Sequence, residues 1–246
     1  MKNYKMIISY DGSRYYGWEH QPGIELTIQG KLENVLEKLN GSAVEVIGAG
    51  RTDAGVHAKG MVCNCFLDTD LSETAIRDYM NRYLPDDIAV LEVRVAAERF
   101  HSRYKAVGKT YCYTCYVGDT KPVFNRKYVY CLDQIPDIEK MKAAALLLTG
   151  EHDFASFCSN PKMKKSTVRI VDKIDIQRKK NYITFTYHGT GFLQHMVRIL
   201  TGTLLEVGYG KREINNMSYL LECKNRSEAG FTAPAGGLCL INVDYN

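Results

Sequence analysis

From Tyr4 to Tyr10 apolar and polar residues alternate, the period of two that predicts a β-strand, and the turn residues Asp11-Gly12-Ser13 end it. The period then changes. Ile28, Leu32, Val35, Leu36 and Leu39 recur at helical spacing behind the capping residue Thr27, and Asn40-Gly41 supplies the stop, so a helix to Asn40 is predicted. Apolar runs at Val44–Ala49 and Gly60–Leu67 predict two more strands. A second helix is expected from about Ser72 to Tyr83, ending before Pro85, and Ile88–Val95 is strand again. The order β-α-β-β-α-β is the ferredoxin-like plan.

The remaining residues predict a longer version of this order. A long strand spans Tyr104–Val117, a loop passes through Pro122 to a short strand at Tyr128–Cys131, and a helix from about Asp137 to Leu148 stops at Gly150. Strands follow near Val168–Arg178 and Tyr182–His188, joined at Lys180-Asn181. A long helix at Phe192–Val207, another near Glu213–Glu222 and a last strand at Leu238–Tyr245 complete the chain. No residue-level repeat is visible, only a similar element order. The expected fold class is α+β: two ferredoxin-like halves, residues 1–103 and 104–246, with mainly antiparallel sheets that join into one central sheet. Helices are expected to pack outside, with a cleft between the halves.

Composition narrows the class. A chain of 246 residues with 45% apolar content can bury a full core. No apolar stretch approaches membrane-spanning length and the N-terminus carries no long apolar region, so a soluble, non-secreted protein is expected. The eight cysteines are scattered among strand-like and helical segments, the usage of reduced, buried thiols in a reducing cytoplasm. Cys112 and Cys115 form a C-x-x-C, but in an alternating run their odd spacing points them to opposite faces, which argues against zinc.

Charge adds a partner. The net charge of +4 is too mild to indicate nucleic acid by itself. Its distribution is more specific: Arg94, Arg99, Arg103, Lys105, Lys109, Lys121, Arg126 and Lys127 interleave with Tyr104, Tyr111, Tyr113, Tyr116 and Phe124. Cations for phosphates beside aromatic faces for bases are the composition of an RNA-binding surface. A second basic run holds Lys162, Lys164, Lys165, Arg169, Lys173, Arg178, Lys179 and Lys180, and reads equally as a solvated face. The loop with Arg14, Tyr15, Tyr16 and the single tryptophan, Trp18, reads either as a partner contact or as a core plug.

The candidate chemistry lies between Val46 and Gly60. Gly48, Gly50 and Gly55 surround Arg51-Thr52-Asp53, and glycines at that density allow positive φ angles and close approach of a ligand to the backbone. Asp53 has Arg51 two residues before it and His57 four after. A guanidinium beside a carboxylate favours its ionised form, which suits a nucleophile or base. Gly48-Ala49-Gly50 lacks the rest of a dinucleotide loop or P-loop, and no G-x-S-x-G elbow occurs. His152-Asp153 after a helix reads as a cap rather than a metal site. Asp53 as a mere turn cap remains open on these grounds.

The run Gly48-Ala-Gly-Arg-Thr-Asp-Ala-Gly-Val-His-Ala58 resembles the catalytic motif of TruA-type tRNA pseudouridine synthases, and the resemblance covers nearly the whole chain. It includes Tyr10-Asp11-Gly12 with Gly17-Trp18, Thr27-Ile28-Gln29, Leu84-Pro85-Asp86-Asp87-Ile88, Phe100-His101-Ser102-Arg103 and Lys109-Thr110-Tyr111-Cys112-Tyr113. Further matches are Gly150-Glu151-His152-Asp153-Phe154, Gly191-Phe192-Leu193, Met196-Val197-Arg198, Val207-Gly208-Tyr209-Gly210 and Ala233-Pro234-Ala235-Gly236-Gly237-Leu238.

The resemblance implies an RNA isomerase that converts uridine to pseudouridine at positions 38, 39 and 40 of the tRNA anticodon stem-loop, working as a cytoplasmic homodimer without cofactor or metal. It assigns catalysis to Asp53, RNA contact and expulsion of the target nucleotide to Arg51, stacking on the target base to Tyr111, and pairing with the catalytic carboxylate to Arg198. Arg14, Tyr15, Trp18, His57 and Arg103 are the further RNA-contact candidates. Two departures stand out: Glu19 where the family more often has glutamine, and Thr110 beside Lys109 where some members have two cations. A non-catalytic RNA-binding module and an aspartate-nucleophile hydrolase are the competing classes.

Overall fold

The computed structural model describes residues 1–160 and 165–246. Lys162 and Lys164 of the second basic run therefore lie outside the described residues. The chain packs as two compact units, residues 1–107 with 239–246, and residues 108–238.

In the first unit, β1 (Lys2–Tyr10) runs antiparallel to both β3 (His57–Leu67) and β4 (Ile88–Val95). The short β2 (Ile47–Gly48) pairs antiparallel with β3, and β10 (Leu238–Tyr245) meets the start of β3 in parallel, Cys239 opposite His57. The order β4-β1-β3-β2 is the ferredoxin-like arrangement that the element order predicts. Helix α1 (Ile28–Asn40) begins where the Thr27 hydroxyl accepts the Gly30 N–H at 3.2 Å, and it ends at Gly41 with φ 73°. It buries Ile28, Leu32, Val35 and Leu36; α2 (Glu73–Tyr83), capped by Ser72, buries Ile76 and Met80.

A buried amide ladder pins the segment after β4 onto this sheet. Asn64 donates to Asn3 Oδ1 at 3.1 Å and accepts from the Ser102 N–H at 2.9 Å, while Asn3 donates to the carbonyls of Ala97 and Phe100. Each buried polar group is thereby satisfied, which is the condition for placing amides in a core.

In the second unit the order is β5 (Ala106–Tyr116), β9 (Tyr182–Gly189), β8 (Val168–Lys179), β7 (Gly150–Asp153), each antiparallel to its neighbour; β6 (Tyr130–Cys131) adds in parallel to β5. Helices α3 (Ile138–Leu147), α4 (Met196–Gly208) and α5 (Asn216–Cys223) accompany this sheet. α4 is buried on nearly every side, and its two inward hydroxyls are satisfied: Thr201 and Thr203 donate to the carbonyls of Val197 and Ile199 at 2.8 Å. In β5, Cys112 and Cys115 stand opposite Thr186 and Ile183 on different faces.

The α+β class with mainly antiparallel pairing is as expected, and local differences have local causes. The strand expected over 44–49 shrinks to two paired residues, whereas β3 starts at His57, three residues early. α4 begins at Met196 rather than Phe192, because His195 adopts a left-handed φ of 60° that no helix interior accommodates. His152-Asp153, read as a cap, belongs to β7, in register with β8. The last strand follows the second unit in sequence but packs with the first.

Candidate active site

Asp53 sits half-buried in the loop between β2 and β3. Its neighbours leave little slack. Val56 N–H closes a turn on the Asp53 carbonyl at 3.1 Å, and Gly55 takes φ 79°, a conformation that suits glycine. Thr52 is buried and shares a hydrogen bond of 2.8 Å with the Tyr10 hydroxyl at the end of β1. Its carbonyl accepts the Trp18 N–H at 3.0 Å, and the Gly55 N–H donates to the Tyr15 carbonyl at 3.2 Å.

The loop of residues 15–18 thus clamps the aspartate loop, and small residues make the fit possible. A Cβ on Gly17, itself at φ 97°, would stand 2.6 Å from the Thr52 carbonyl. A Cβ on Gly48 would stand 2.6 Å from the Trp18 indole. Of Gly48, Gly50 and Gly55 only the last uses a positive φ; Gly48 is small because a buried tryptophan lies on it.

Trp18 is therefore the core plug, not a surface aromatic, with 3% of its area exposed. Tyr15 and His57 are also buried. Tyr15 donates to Asp87 at 2.6 Å; burial and that carboxylate push its phenol up to about 12. The Gly12 N–H donates to His57 Nδ1 at 3.0 Å, which in the neutral ring leaves the proton on Nε2, and Asp11 Oδ1 lies 3.1 Å from the same nitrogen. These three residues, expected at an RNA surface, instead hold the loops together because each finds its partners inside the first unit.

The cations behave differently. Arg14 is exposed but engaged, its Nε 2.5 Å from Asp87 Oδ2. Arg103 is exposed in the turn where residues 103 and 104 donate backbone N–H groups to His101 Nδ1. Arg51 is exposed and meets Glu19 Oε1 at 2.6 Å.

Tyr111 and Arg198 belong to the second unit. Tyr111 lies on the buried face of β5, its ring edge-on to Phe192 with centroids 5.3 Å apart. Arg198, on the first turn of α4, donates from Nε to the Ala233 carbonyl at 2.7 Å, and Ala233 N–H returns a bond to the Arg198 carbonyl at 3.1 Å. The chain preceding Ala233 lies close on α4, since a Cβ on Gly202 would collide with the Phe231 carbonyl. Arg198 is thus oriented by a segment that is itself fixed.

Sequence reasoning gave Phe192, Asp11 and Tyr10 no supporting role, although all three stand in stretches that carry the resemblance, Tyr10-Asp11-Gly12 and Gly191-Phe192-Leu193. Among the described residues no three of His, Cys, Asp or Glu stand where they could hold a metal ion, and no helix is long and apolar enough to cross a membrane.

Residues 6–105 and 144–246 match the model of a family described as tRNA pseudouridine synthase. A tRNA pseudouridine synthase A of Clostridium kluyveri is 45% identical over 245 residues, covering 100% of both chains. The protein of that name from a Bacillus species is likewise 45% identical over the full length, and a tRNA pseudouridine synthase A 2 of Bacillus cereus is 40% identical. With the motif around Asp53 inside the matched region and full-length relatives at this identity, the chain belongs to the tRNA pseudouridine synthase family.

Proposed function

We propose that this protein isomerises uridine to pseudouridine at positions 38, 39 and 40 of the tRNA anticodon stem-loop, acting in the cytoplasm as a homodimer, with Asp53 as the catalytic group. The observation that carries this reading is the Asp53 loop of a family member, clamped through Thr52 and Gly55 so that the carboxylate is presented on a rigid support.

The reaction breaks the N1–C1′ glycosidic bond, turns the uracil and joins its C5 to C1′; N1 ends protonated and C5 loses its proton. Nothing is oxidised or reduced, so the balance needs no cofactor. Asp53 attacks C1′ or removes a sugar proton to assist loss of uracil. Tyr111 holds the detached base by stacking, and Arg198 pairs with the carboxylate. The target must leave its helix, and Arg51 stabilises the extruded nucleotide, with Arg14 and Arg103 as further phosphate contacts.

The test uses tRNA tritiated at uridine C5. The purified protein is expected to release tritium without added metal or nucleotide, and Asp53→Asn to lose at least about a thousandfold in rate. Release by Asp53→Asn at the unaltered rate would sink the assignment.

A further inference from the structure

The Glu19–Arg51 pair is built by the backbone, not by two long side chains meeting at random. Trp18 N–H donates to the Thr52 carbonyl at 3.0 Å, which registers residues 18 and 19 against 51 and 52. On the other side, the Trp18 carbonyl accepts from the Gln29 N–H at 2.9 Å and the His20 N–H donates to the Gln29 side chain at 2.8 Å. The two peptides flanking Glu19 are both tied to Gln29 of α1 and the peptide before them to the aspartate loop, so the Glu19 carboxylate is delivered to the guanidinium at 2.6 Å. The cation that precedes Asp53 by two residues is neutralised by an acid of its own chain.

We infer that Glu19 gates Arg51: it holds the guanidinium in the RNA-free enzyme, and a phosphate beside the target nucleotide must displace it before the arginine can act. The inference rests on the proposed role of Arg51 at that nucleotide. Both side chains are about half exposed, 63% for Arg51 and 45% for Glu19, so solvent screens the pair and its rupture is cheap. A phosphate offers a charge-assisted, fork-shaped replacement. The exchange nonetheless leaves the Glu19 carboxylate beside the phosphate, and that like-charge contact opposes binding. Both costs fall on substrate engagement and neither falls on the chemistry at C1′. Glu19 is therefore a positioning residue whose signature is in KM and not in kcat.

Glu19→Gln keeps the shape and removes the charge. For unmodified tRNA we expect KM and Kd to fall about two- to fivefold with kcat within about twofold, an effect that fades as salt is raised. In an Arg51→Gln background the same change should lower the Kd for tRNA by a clearly smaller factor, the like-charge part alone, because the gate has nothing left to hold. An unchanged or raised Kd in Glu19→Gln overturns the gate. So does an equal gain in the Arg51→Gln background, which would make Glu19 a simple repulsive charge. The Kd series is independent of turnover. Absence of pseudouridine formation by the unaltered enzyme would strike the proposed activity, whereas an active enzyme with an unmoved Kd in Glu19→Gln strikes only the gate.

Discussion

Trp18 stands among Arg14, Tyr16, Glu19 and His20, and nothing in that neighbourhood announces that its indole closes over Gly48. The partner lies thirty positions away, and pairings of that range leave no local periodicity to read. The contact sets a prediction: Gly48→Ala forces a methyl against the indole and should cost about 1–3 kcal/mol in chemical denaturation, with activity falling alongside as the Asp53 loop shifts. An unaltered denaturation midpoint would show that the indole can yield. Asp53 itself was legible as a presented carboxylate from its glycines and charges, whereas Tyr111 and Arg198 were legible only through the resemblance. For Tyr111→Ala, tRNA binding within a fewfold of the unaltered enzyme with turnover lost is expected, and unimpaired turnover would refute the stacking role.

Helix starts were the most legible elements, because a cap is a local hydrogen bond whose residue types are few. Thr27, Ser72 and Asp137 each accept a backbone N–H three residues on, as their sequence positions predict. Thr27→Ala should cost about 1 kcal/mol of stability, read as a lowered denaturation midpoint, since the hydroxyl is buried and its loss leaves the Gly30 N–H unmet. The start of α4 was not legible. Apolar spacing runs unbroken from Phe192, and only the backbone shows that His195 is left-handed, which frees Phe192 to meet the edge of Tyr111. β2 was overestimated for a related reason: Val44 and Val46 are buried without joining the ladder.

Across the whole molecule, the α+β class followed from the element order, but membership of β10 in the first unit did not, since sequence order carries no record of which sheet a terminal strand joins. Burial across both units has a consequence at high pH. It pushes up the thiols of Cys63, Cys65 and Cys115 and the phenols of Tyr113 and Tyr187, Cys65 to about 12. These groups ordinarily titrate near 9 and 10, so below pH about 9 folded and unfolded chains both keep their protons and stability does not depend on them. Above that the unfolded chain loses protons first. Each group then removes up to about 1.4 kcal/mol per pH unit until its folded pKa is reached. A denaturation midpoint that holds steady up to about pH 9 and drops from there to about pH 11 is expected, and a flat profile would contradict it. The measurement closest to the central claim is a map of pseudouridine in unmodified tRNA after treatment with the protein and with Asp53→Asn. New pseudouridine confined to positions 38, 39 and 40 and absent with the variant is predicted; modification outside the anticodon arm, or an identical map from the variant, would contradict it.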